Sequence, residues 1–283
     1  MRIVIKFAGA LLEDSATVHA LSEHVARLAQ HGHEILVIHG GGRVFTQTLK
    51  RFGIESKFVA GLRVTDRETR DVAVMVFGGL LNKRLSGAIT AAGQPTVGIS
   101  ASDAAAFSAA PLVHNDIEGS LGFVGYLTGV NVRFLESLWR EHLVPVAACL
   151  GQGPDRELYN INADHMAAAC AEFIQADHLI YLTDVAGVLH DEQVISAISC
   201  QEIEALVHSR VVSGGMVLKL EAAKRALEGG VSEVHIVGGG SAAAVLDPQL
   251  FAEPSLKNTF SGLPGTRVLR EHAPGEQAAS AFV

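Results

Sequence analysis

The sequence is poor in cysteine and in aromatic residues. Its three cysteines (Cys149, Cys170 and Cys200) are odd in number and far apart, so they form neither a disulfide framework nor a metal-ligand pattern. They are typical of a reducing compartment and predict a cytoplasmic protein. Aromatic residues make up 6% of the chain and the formal net charge is −8, so neither base stacking nor binding to a phosphate backbone is expected. Nucleic acid is therefore not an expected partner.

Long apolar runs are also missing. No run reaches the roughly 20 residues that a membrane-spanning helix needs, and the N-terminus enters a strand at Ile3 without a signal-peptide pattern. The sequence predicts no membrane partner. A hydrophobic content of 48% is nevertheless enough for a packed globular core.

Three common site signatures are absent or incomplete. No Gly-x-x-x-x-Gly-Lys-Ser/Thr occurs, which excludes a P-loop. The stretch from Gly238 to Ala243 fits a loose dinucleotide fingerprint but lies too near the C-terminus for a Rossmann domain. The stretch from His39 to Gly42 resembles an esterase oxyanion loop, but the segment from Gly98 to Ser102 lacks the second glycine of a nucleophile elbow. A serine hydrolase remains a less favoured alternative.

What the chain does have is two apolar strands that each run into a turn of small residues. Ile3 to Lys6 lead into Phe7-Ala8-Gly9-Ala10, and Ile35 to Ile38 lead into His39-Gly40-Gly41-Gly42. Glycines let the backbone approach a ligand, and the free amides at a helix start bind anions. Two such turns, one with a lysine at its strand end, predict a site that holds several phosphate oxygens.

Strand and helix patterns alternate along most of the chain, which predicts an α/β fold with a mainly parallel sheet and helices on both faces. One helix would be capped by Ser15 or Thr17 and ended by Gly32. The pattern in residues 111–127 predicts a β-hairpin that forms a lid or a pocket rim. Further helices are predicted over residues 44–52, 72–92, 132–141, 163–174 and 217–227.

Charged residues at the ends of these elements are the candidates for chemistry. Lys6 ends a strand, where a site lysine and a solvated edge lysine are equally expected. Lys219 lies near a helix start, where the helix dipole disfavours a cation, although a surface position is the simpler interpretation of this residue alone. Asp164 lies in a first helical turn, where it either caps the helix or holds the two lysines. Arg63 offers a planar fork for a carboxylate or phosphate, or a surface salt bridge.

Taken together, these stretches resemble the amino acid kinase family. The match runs from residue 1 to about residue 270, and its motifs follow the family's order. They are Lys6 to Gly9, His39 to Gly42, Gly61 to Asp66, Asn160 to Asp164, Thr183 to Val188 and Gly214 to Lys219.

The resemblance implies a three-layer αβα sandwich with an open, mainly parallel central sheet. Residues 1–175 would form an acceptor-binding and dimerisation lobe, and residues 176–283 a nucleotide-binding lobe. A homodimer assembled through the N-terminal lobe is expected.

The implied reaction is transfer of the γ-phosphoryl group of ATP to the side-chain carboxylate of N-acetyl-L-glutamate, in arginine biosynthesis. The alternative acceptor is another acylated or carrier-linked amino acid, such as aminoadipate in lysine biosynthesis. A carboxylate is already an ionised nucleophile, so positioning and charge neutralisation dominate the chemistry. Mg²⁺ would be held mainly by the nucleotide phosphates, and no protein metal site is expected.

The resemblance also implies roles for the matched residues. Lys6 and Lys219 would neutralise the transferring and leaving phosphoryl groups, and Asp164 would orient both lysines. Amides at Gly9, Gly41 and Gly42 would bind phosphoryl oxygens, with Gly41 and Gly42 part of the substrate site. The acceptor would be held by Arg63 and Asn160, and the nucleotide by Asp184, Gly187, Val188, Gly214, Gly215 and Met216.

Some positions depart from the family pattern. Ala8 replaces the first glycine of Lys-x-Gly-Gly, and Val237 to Ser241 stand where the family more often has an Asp-Gly-Arg-like turn. These departures motivate one further alternative, a catalytically weakened binding or regulatory protein. A carrier-linked substrate would instead need a basic patch, for which the sequence offers Arg67, Arg70, Lys83 and Arg84.

Overall fold

The computed structural model describes residues 1–59, 61–113, 121–252 and 259–271. Its strands are β1 (Arg2–Phe7), β2 (Glu34–His39), β3 (Phe58–Val59), β4 (Leu62–Arg63), β5 (Thr96–Ile99), β6 (Phe107–Pro111), β7 (Val124–Val130), β8 (Val144–Ala148), β9 (Leu150–Gln152), β10 (Leu158–Ile161), β11 (His178–Thr183), β12 (Leu189–His190), β13 (Gln193–Val194), β14 (Ala197–Ser199), β15 (Glu233–Gly238) and β16 (Thr266–Leu269).

Its α-helices are α1 (Ser15–Gln30), α2 (Gly42–Arg51), α3 (Arg67–Ala73), α4 (Asn82–Ala91), α5 (Val132–Arg140), α6 (Ala163–Phe173), α7 (Ile203–His208), α8 (Gly215–Glu228) and α9 (Ala242–Val245). A π-helical stretch, Val74–Leu81, joins α3 to α4. Short 3₁₀ turns lie at Gly9–Leu12, Asp103–Ala105, Gly239–Ser241 and Pro248–Phe251.

The central sheet has eight strands in the order β14-β16-β15-β11-β1-β2-β8-β5. Neighbouring strands are parallel except for β15 and β16. Phe7 at the end of β1 pairs with Leu182 of β11 and with His39 of β2, so these three strands end at one edge of the sheet. In open α/β sheets, ligands bind beyond such carboxyl ends. The predicted α/β fold with a mainly parallel sheet is confirmed.

The sheet is buried on both faces. Along β1, Val4 packs into one hydrophobic cluster, whereas Ile3 and Ile5 pack into the cluster on the opposite face, because successive side chains of a strand alternate. Helices α1 and α4 cover the second face, and α5, α6 and α8 cover the first. The three-layer αβα arrangement follows from strands that are apolar on both sides.

The helix caps and stops follow the sequence closely, with one correction. The N-cap of α1 is Asp14, whose Oδ2 accepts a hydrogen bond of 2.7 Å from the Thr17 amide, rather than Ser15 or Thr17. Gly32 follows the helix with a φ of +85°, a conformation that favours glycine and ends the helix as predicted.

The long helical segment begins earlier than the predicted residue 72. Asp66 caps α3 by accepting a 2.8 Å hydrogen bond from the Thr69 amide. By length and composition the segment Arg67–Ala91 could cross a membrane, but half of its most apolar window is buried inside the fold. We assign it to the protein core, because core helices pass the same test.

The predicted hairpin is part of a larger unit. Strands β6 and β7 pair antiparallel, although β6 starts at Phe107, before the predicted range of residues 111–127, and they close into a four-stranded barrel with β9 and β10. The predicted turn at Glu118-Gly119-Ser120 lies outside the described residues. The barrel brings β10 and the start of α6 to the carboxyl edge of the central sheet, beside β1.

Candidate active site

A cleft of about 250 Å³ opens at the carboxyl ends of β1 and β2. The two turns of small residues, Phe7 to Ala10 and His39 to Gly42, form part of its wall and are called the glycine turns below. The segment from β10 into α6 forms another part of the wall. Its lining comprises Lys6, Gly9, Gly40, Gly41, Gly42, Phe45, Phe58, Gly61, Leu62, Arg63, Phe77, Val124, Cys149, Asn160, Ile161, Asn162, Ala163 and Asp164.

Two lysines meet one carboxylate at this cleft. Lys6 Nζ lies 2.7 Å from Asp164 Oδ1, and Lys219 Nζ donates to the same oxygen at 2.8 Å. Lys6 is the penultimate residue of β1, Asp164 lies in the first turn of α6, and Lys219 comes from α8, which packs on α6. Both lysines are only 6% exposed, so the solvated interpretations of Lys6 and Lys219 are wrong.

The cluster carries two cations for one anion. Burial alone would raise the pKa of Asp164, but attraction to Lys6 and Lys219 and their hydrogen bonds hold it far below its ordinary value. Burial, followed by repulsion from Lys6, lowers the pKa of Lys219 to about 8, although Asp164 opposes this shift. The excess positive charge is suited to an anionic ligand such as a phosphoryl group.

Tyr181 contacts both Lys219 and the main chain of Asp164. Its ring centroid lies 4.9 Å from Lys219 Nζ, a cation–π distance, and its hydroxyl donates to the main-chain oxygen of Asp164 at 3.1 Å. The side chain is completely buried in β11. Tyr181 therefore fixes both the helix turn that carries Asp164 and the position of the Lys219 ammonium.

The main chains of the two glycine turns are in close contact. A Cβ on Gly9 would lie 2.8 Å from the Gly41 nitrogen and 2.9 Å from that of Gly42. A Cβ on Gly41 would lie 2.1 Å from Leu81 Cδ1. The turns therefore need glycine for close packing. The first amides of α2, which starts at Gly42, have no intrahelical acceptor and can bind an anion.

Ala8 plays no direct part in this amide surface. Its N–H donates to the Leu182 carbonyl at 2.9 Å, so it is not free for a phosphate. The bond ties the first turn to β11. The methyl group of Ala8 therefore replaces a glycine at a position that anchors the turn.

Arg63 and Asn160 also line the cleft. The Arg63 guanidinium lies between the rings of Phe45 and Phe58, 4.8 and 4.5 Å from their centroids. It donates to the hydroxyls of Ser56 and Thr46. Its partners among the described residues are thus neutral groups, and within that part of the chain Arg63 forms no surface salt bridge.

Asn160 is held by the barrel. Its amide nitrogen Nδ2 donates to Thr65 Oγ1 at 3.3 Å, and its main-chain N–H donates to the Phe123 carbonyl at 2.8 Å. Thr65 lies two residues after Arg63, so the contact links the two predicted acceptor-binding residues to one another. Both side chains reach the same cleft from separate elements.

The remaining predicted nucleotide residues do not line this cleft. Asp184 follows β11 with 52% of its side chain exposed, 4.0 Å from Arg43. The space beside Gly187 is filled by Thr266, whose Oγ1 accepts from the Val188 amide at 2.8 Å. The residues Gly214, Gly215 and Met216 form the start of α8, where Gly214 has a φ of +57°.

Several lining residues escaped the sequence analysis. Asn162 caps α6 by accepting hydrogen bonds from the amides of Asp164 and His165, at 2.9 and 3.2 Å. Its place within the Asn160 to Asp164 motif was the available signal. Phe77 reaches the cleft from the π-helical stretch. A regular α-helical period does not predict that this side chain faces the cleft.

In the part of the chain that the structure describes, neither the candidate serine, Ser100, nor the cysteine that lines the cleft, Cys149, is placed to act as a nucleophile. Ser100 Oγ donates to Asp103 rather than to a histidine, and His39 is bonded to Asn82 and Gly40. Burial raises the pKa of the Cys149 thiol to about 12, which keeps it protonated. The serine hydrolase alternative is therefore excluded by geometry.

The basic residues of α3 are compensated. Arg70 forms ion pairs with Asp71 and Glu157, and Arg67 lies 3.4 Å from Glu157. Both guanidiniums also lie over the Phe123 ring. This arrangement weakens the case for a basic patch that would receive a carrier protein. Within the described ranges no cluster of His, Cys, Asp and Glu could hold a metal ion.

Comparison with known proteins agrees with this geometry. The model of the amino acid kinase family matches residues 1–238. The acetylglutamate kinase of Koribacter versatilis is 49% identical over 257 residues, covering 90% of this chain and 96% of that protein. The acetylglutamate kinase of Acidobacterium capsulatum is 42% identical over 248 residues, covering 87% and 94%.

Solved structures share the fold at lower identity. An N-acetylglutamate synthase from Neisseria gonorrhoeae superposes with a TM-score of 0.80 at 24% identity; the match covers 96% of this chain and 60% of that longer one. A carbamate kinase from Giardia lamblia gives a TM-score of 0.65 at 15% identity, with 95% and 98% coverage. These two likenesses show the fold alone. The family model and the two acetylglutamate kinases, at 49% and 42% identity, establish that the chain belongs to the amino acid kinase family, as the order of its motifs predicted.

Proposed function

We propose that this protein transfers the γ-phosphoryl group of ATP to the side-chain carboxylate of N-acetyl-L-glutamate, giving N-acetyl-L-glutamyl 5-phosphate and ADP for arginine biosynthesis. One observation carries the proposal: Lys6 and Lys219 share a single oxygen of Asp164 at the wall of a cleft built from two glycine turns. The close relatives named acetylglutamate kinase support this choice of acceptor.

The side-chain carboxylate of the acceptor has to approach the triphosphate of ATP, so repulsion between these anions is the main obstacle. Arg63 contacts only neutral groups among the described residues and would bind the α-carboxylate of the acceptor, while Asn160 would hold its amide. These contacts aim the side-chain carboxylate at the lysines. Positioning of this kind replaces a collision in solution with a held geometry.

In the proposed step, a carboxylate oxygen of the acceptor bonds to the γ-phosphorus as the bond to the β,γ-bridging oxygen breaks. Lys6 and Lys219 offset charge on the transferring and leaving groups, and Asp164 keeps both ammoniums in place. Amides of Gly9, Gly41 and Gly42 bind phosphoryl oxygens. No general base is required, because the nucleophile is already ionised.

The nucleotide is assigned to the neighbouring surface of the second half of the chain. Asp184 follows β11 at the same sheet edge, and α8 begins at Gly215 and carries Lys219. Gly187, Val188, Gly214 and Met216 complete this proposed surface. Mg²⁺ would neutralise the nucleotide phosphates; since Asp164 already binds two lysines, the phosphates rather than the protein would be its main ligands.

The proposal extends to organisation and location. Residues 1–175 would bind the acceptor and form a homodimer, and residues 176–283 would bind ATP, with the boundary between α6 and β11. A cytoplasmic location is consistent with three free cysteines, of which Cys149 and Cys170 are buried.

The test is an assay of ATP-dependent acyl phosphate formation, trapped as the hydroxamate. N-acetyl-L-glutamate would be compared with N-acetyl-L-aminoadipate, glutamate and aspartate. We expect turnover with N-acetyl-L-glutamate alone and a loss of about 10²- to 10³-fold in Lys219→Met, because charge stabilisation of the transition state is removed. Lys50→Met, at an exposed lysine, is the control. Turnover with the aminoadipate derivative instead, or with none of the acceptors, would refute the proposal.

A further inference from the structure

His39 lies directly behind the cleft without lining it. It is the last residue of β2, has 0% exposure, and precedes the glycine turn. Its Nδ1 lies 3.1 Å from the main-chain oxygen of Gly40, and its Nε2 lies 3.3 Å from Nδ2 of Asn82. Both ring nitrogens therefore have a partner, and neither faces a ligand.

The partners of Asn82 fix the direction of these hydrogen bonds. Nδ2 of Asn82 also donates to the Val146 carbonyl at 2.8 Å, so the nitrogen and not the oxygen of this amide faces His39. An amide nitrogen only donates, so His39 Nε2 is the acceptor and Nδ1 carries the proton. The Nδ1–H group consequently donates to the Gly40 carbonyl.

The fold makes specific room for Asn82. It is the first residue of α4, immediately after the π-helical stretch, and is completely buried. A Cβ on Gly98 of β5 would lie 2.0 Å from Asn82 Oδ1, so only a glycine there admits the amide. Leu81, the last π-helical residue, covers Gly41. The junction between the π-helical stretch and α4 thus places Leu81 against Gly41 and Asn82 against His39.

A trans peptide points its carbonyl and the following N–H in opposite directions. With the Gly40 carbonyl held by His39, the Gly41 N–H is directed to the other side of the peptide. The cleft and Gly9 lie near that nitrogen, since a Cβ on Gly9 would be 2.8 Å from it. A rotated Gly40–Gly41 peptide would present an oxygen where an anion has to bind.

We infer that His39, held by Asn82, is a positioning residue that keeps the Gly41 amide oriented toward the transferring phosphoryl group. The inference rests on the proposed function for the identity of the bound anion. A fixed donor needs no reorganisation during the reaction, which is how preorganised amides stabilise developing charge.

Direct chemistry by His39 does not fit its surroundings. Burial lowers the pKa of the ring to about 4, so it is neutral near pH 7. Its neutral state preserves one donor and one acceptor nitrogen, which the two hydrogen bonds require. A protonated ring would donate from Nε2 toward the Asn82 amide nitrogen and break the arrangement.

Three variants test the inference. His39→Leu removes both hydrogen bonds, whereas His39→Asn keeps a donor at the place of Nδ1. His178→Leu is the control, because His178 is 3% exposed and lies at the opposite end of the sheet, paired with Ile3. For each variant, kcat, the KM for ATP and acceptor, and the thermal midpoint are measured. Long-range ¹H–¹⁵N NMR of the wild-type protein reads the His39 tautomer.

We expect His39→Leu to lower kcat by about 100-fold with little change in KM, as for a misplaced catalytic donor. His39→Asn should recover most of this loss, and His178→Leu should lower only the thermal midpoint. Equal kcat in His39→Leu and His178→Leu, no rescue by His39→Asn, or an Nε2-protonated wild-type ring would overturn the inference. Failure of the proposed function would look different: the wild-type protein would be inactive while His39 remained protonated at Nδ1.

Discussion

Lys219 carries an ammonium group whose charge is costly to keep in a buried site. Its pKa is lowered to about 8, first by burial and then by the charge of Lys6. As pH rises through this value, the free protein loses the cation that would meet the leaving phosphate. We expect kcat/KM for ATP, which reports the free enzyme, to fall above about pH 8. Bound phosphates would raise the pKa of Lys219 again, so kcat should stay level to higher pH.

A pH series of initial rates separates the two parameters. Arginine stays charged above pH 8, so the Lys219→Arg variant should show no fall in kcat/KM for ATP, even if its overall rate is lower. Lys224→Arg, a partly exposed position on the same helix, should keep the wild-type profile. A wild-type kcat/KM that is level well above pH 8 would contradict this assignment.

At single residues, the sequence was most informative where a charge lies at the end of an element. Lys6 and Asp164 stood out in this way, and the structure brings them together. The setting of Arg63 was not predictable. Its contacts with Phe45 and Phe58 come from α2 and β3, and no local pattern shows that these elements meet. The roles of these residues stay predictions until variants are assayed.

The two glycine turns act as one element, because the second turn occupies the space that a side chain at Gly9 would need. Gly9→Ala would place a Cβ 2.8 Å from the main-chain atoms of Gly41, which cannot move as a flexible side chain would. The turns would have to separate. A displacement near 1 Å costs about 100-fold in rate, and we expect a loss of that size in kcat.

The matched control is Gly87→Ala. Gly87 lies in the exposed part of α4, and no described side chain or neighbouring element lies within 4 Å of the place of its Cβ. Alanine there should raise stability by up to about 1 kcal/mol, as in exposed helix interiors, and leave the rate unchanged. Steady-state kinetics and urea unfolding of both variants check the prediction. A fully active Gly9→Ala protein would show that the contact between the turns is not needed.

Among the elements, helices with clear caps and stops were predicted well, and the π-helical stretch was not. Periodicity assumes 3.6 residues per turn, and Val74–Leu81 departs from it. The same departure turns Phe77 and Leu81 onto the glycine turn. The barrel was missed for a related reason: β9 and β10 are short, and what closes them is pairing with β6 and β7, which lie far away in sequence.

In the whole molecule, one sheet joins both halves of the chain. β1 lies between β2 from the first half and β11 from the second, and Lys6 is the penultimate residue of this central strand. The sequence predicted the parallel sheet because its strands are apolar on both faces. It could not predict that α6 and α8, some 40 residues apart in sequence, would pack together and bring Asp164 to Lys219.

The fold as a whole buries several neutral histidines. His39, His178 and His235 lie in the sheet, and burial lowers the pKa of each to about 4. In the unfolded chain a histidine titrates near pH 6.5. Between these values the unfolded state binds more protons, so the free energy of unfolding falls as pH falls from about 6.5 to 4. Linkage gives an upper bound of about 3 kcal/mol for each ring.

The contribution of His178 to this loss of stability at low pH can be measured separately. It packs edge-on against the rings of Phe251 and Phe260, and among described residues its Nδ1 has no hydrogen-bond partner. His178→Leu removes the titrating group but keeps an apolar side chain in the same cluster. Urea unfolding at pH 7 and about pH 5 should therefore show a smaller loss of stability for this variant than for the wild-type protein. His19→Leu, at an exposed histidine, should reproduce the wild-type loss. Equal losses in all three proteins would mean that His178 is protonated in the folded state, and its burial would then not be the source of acid sensitivity.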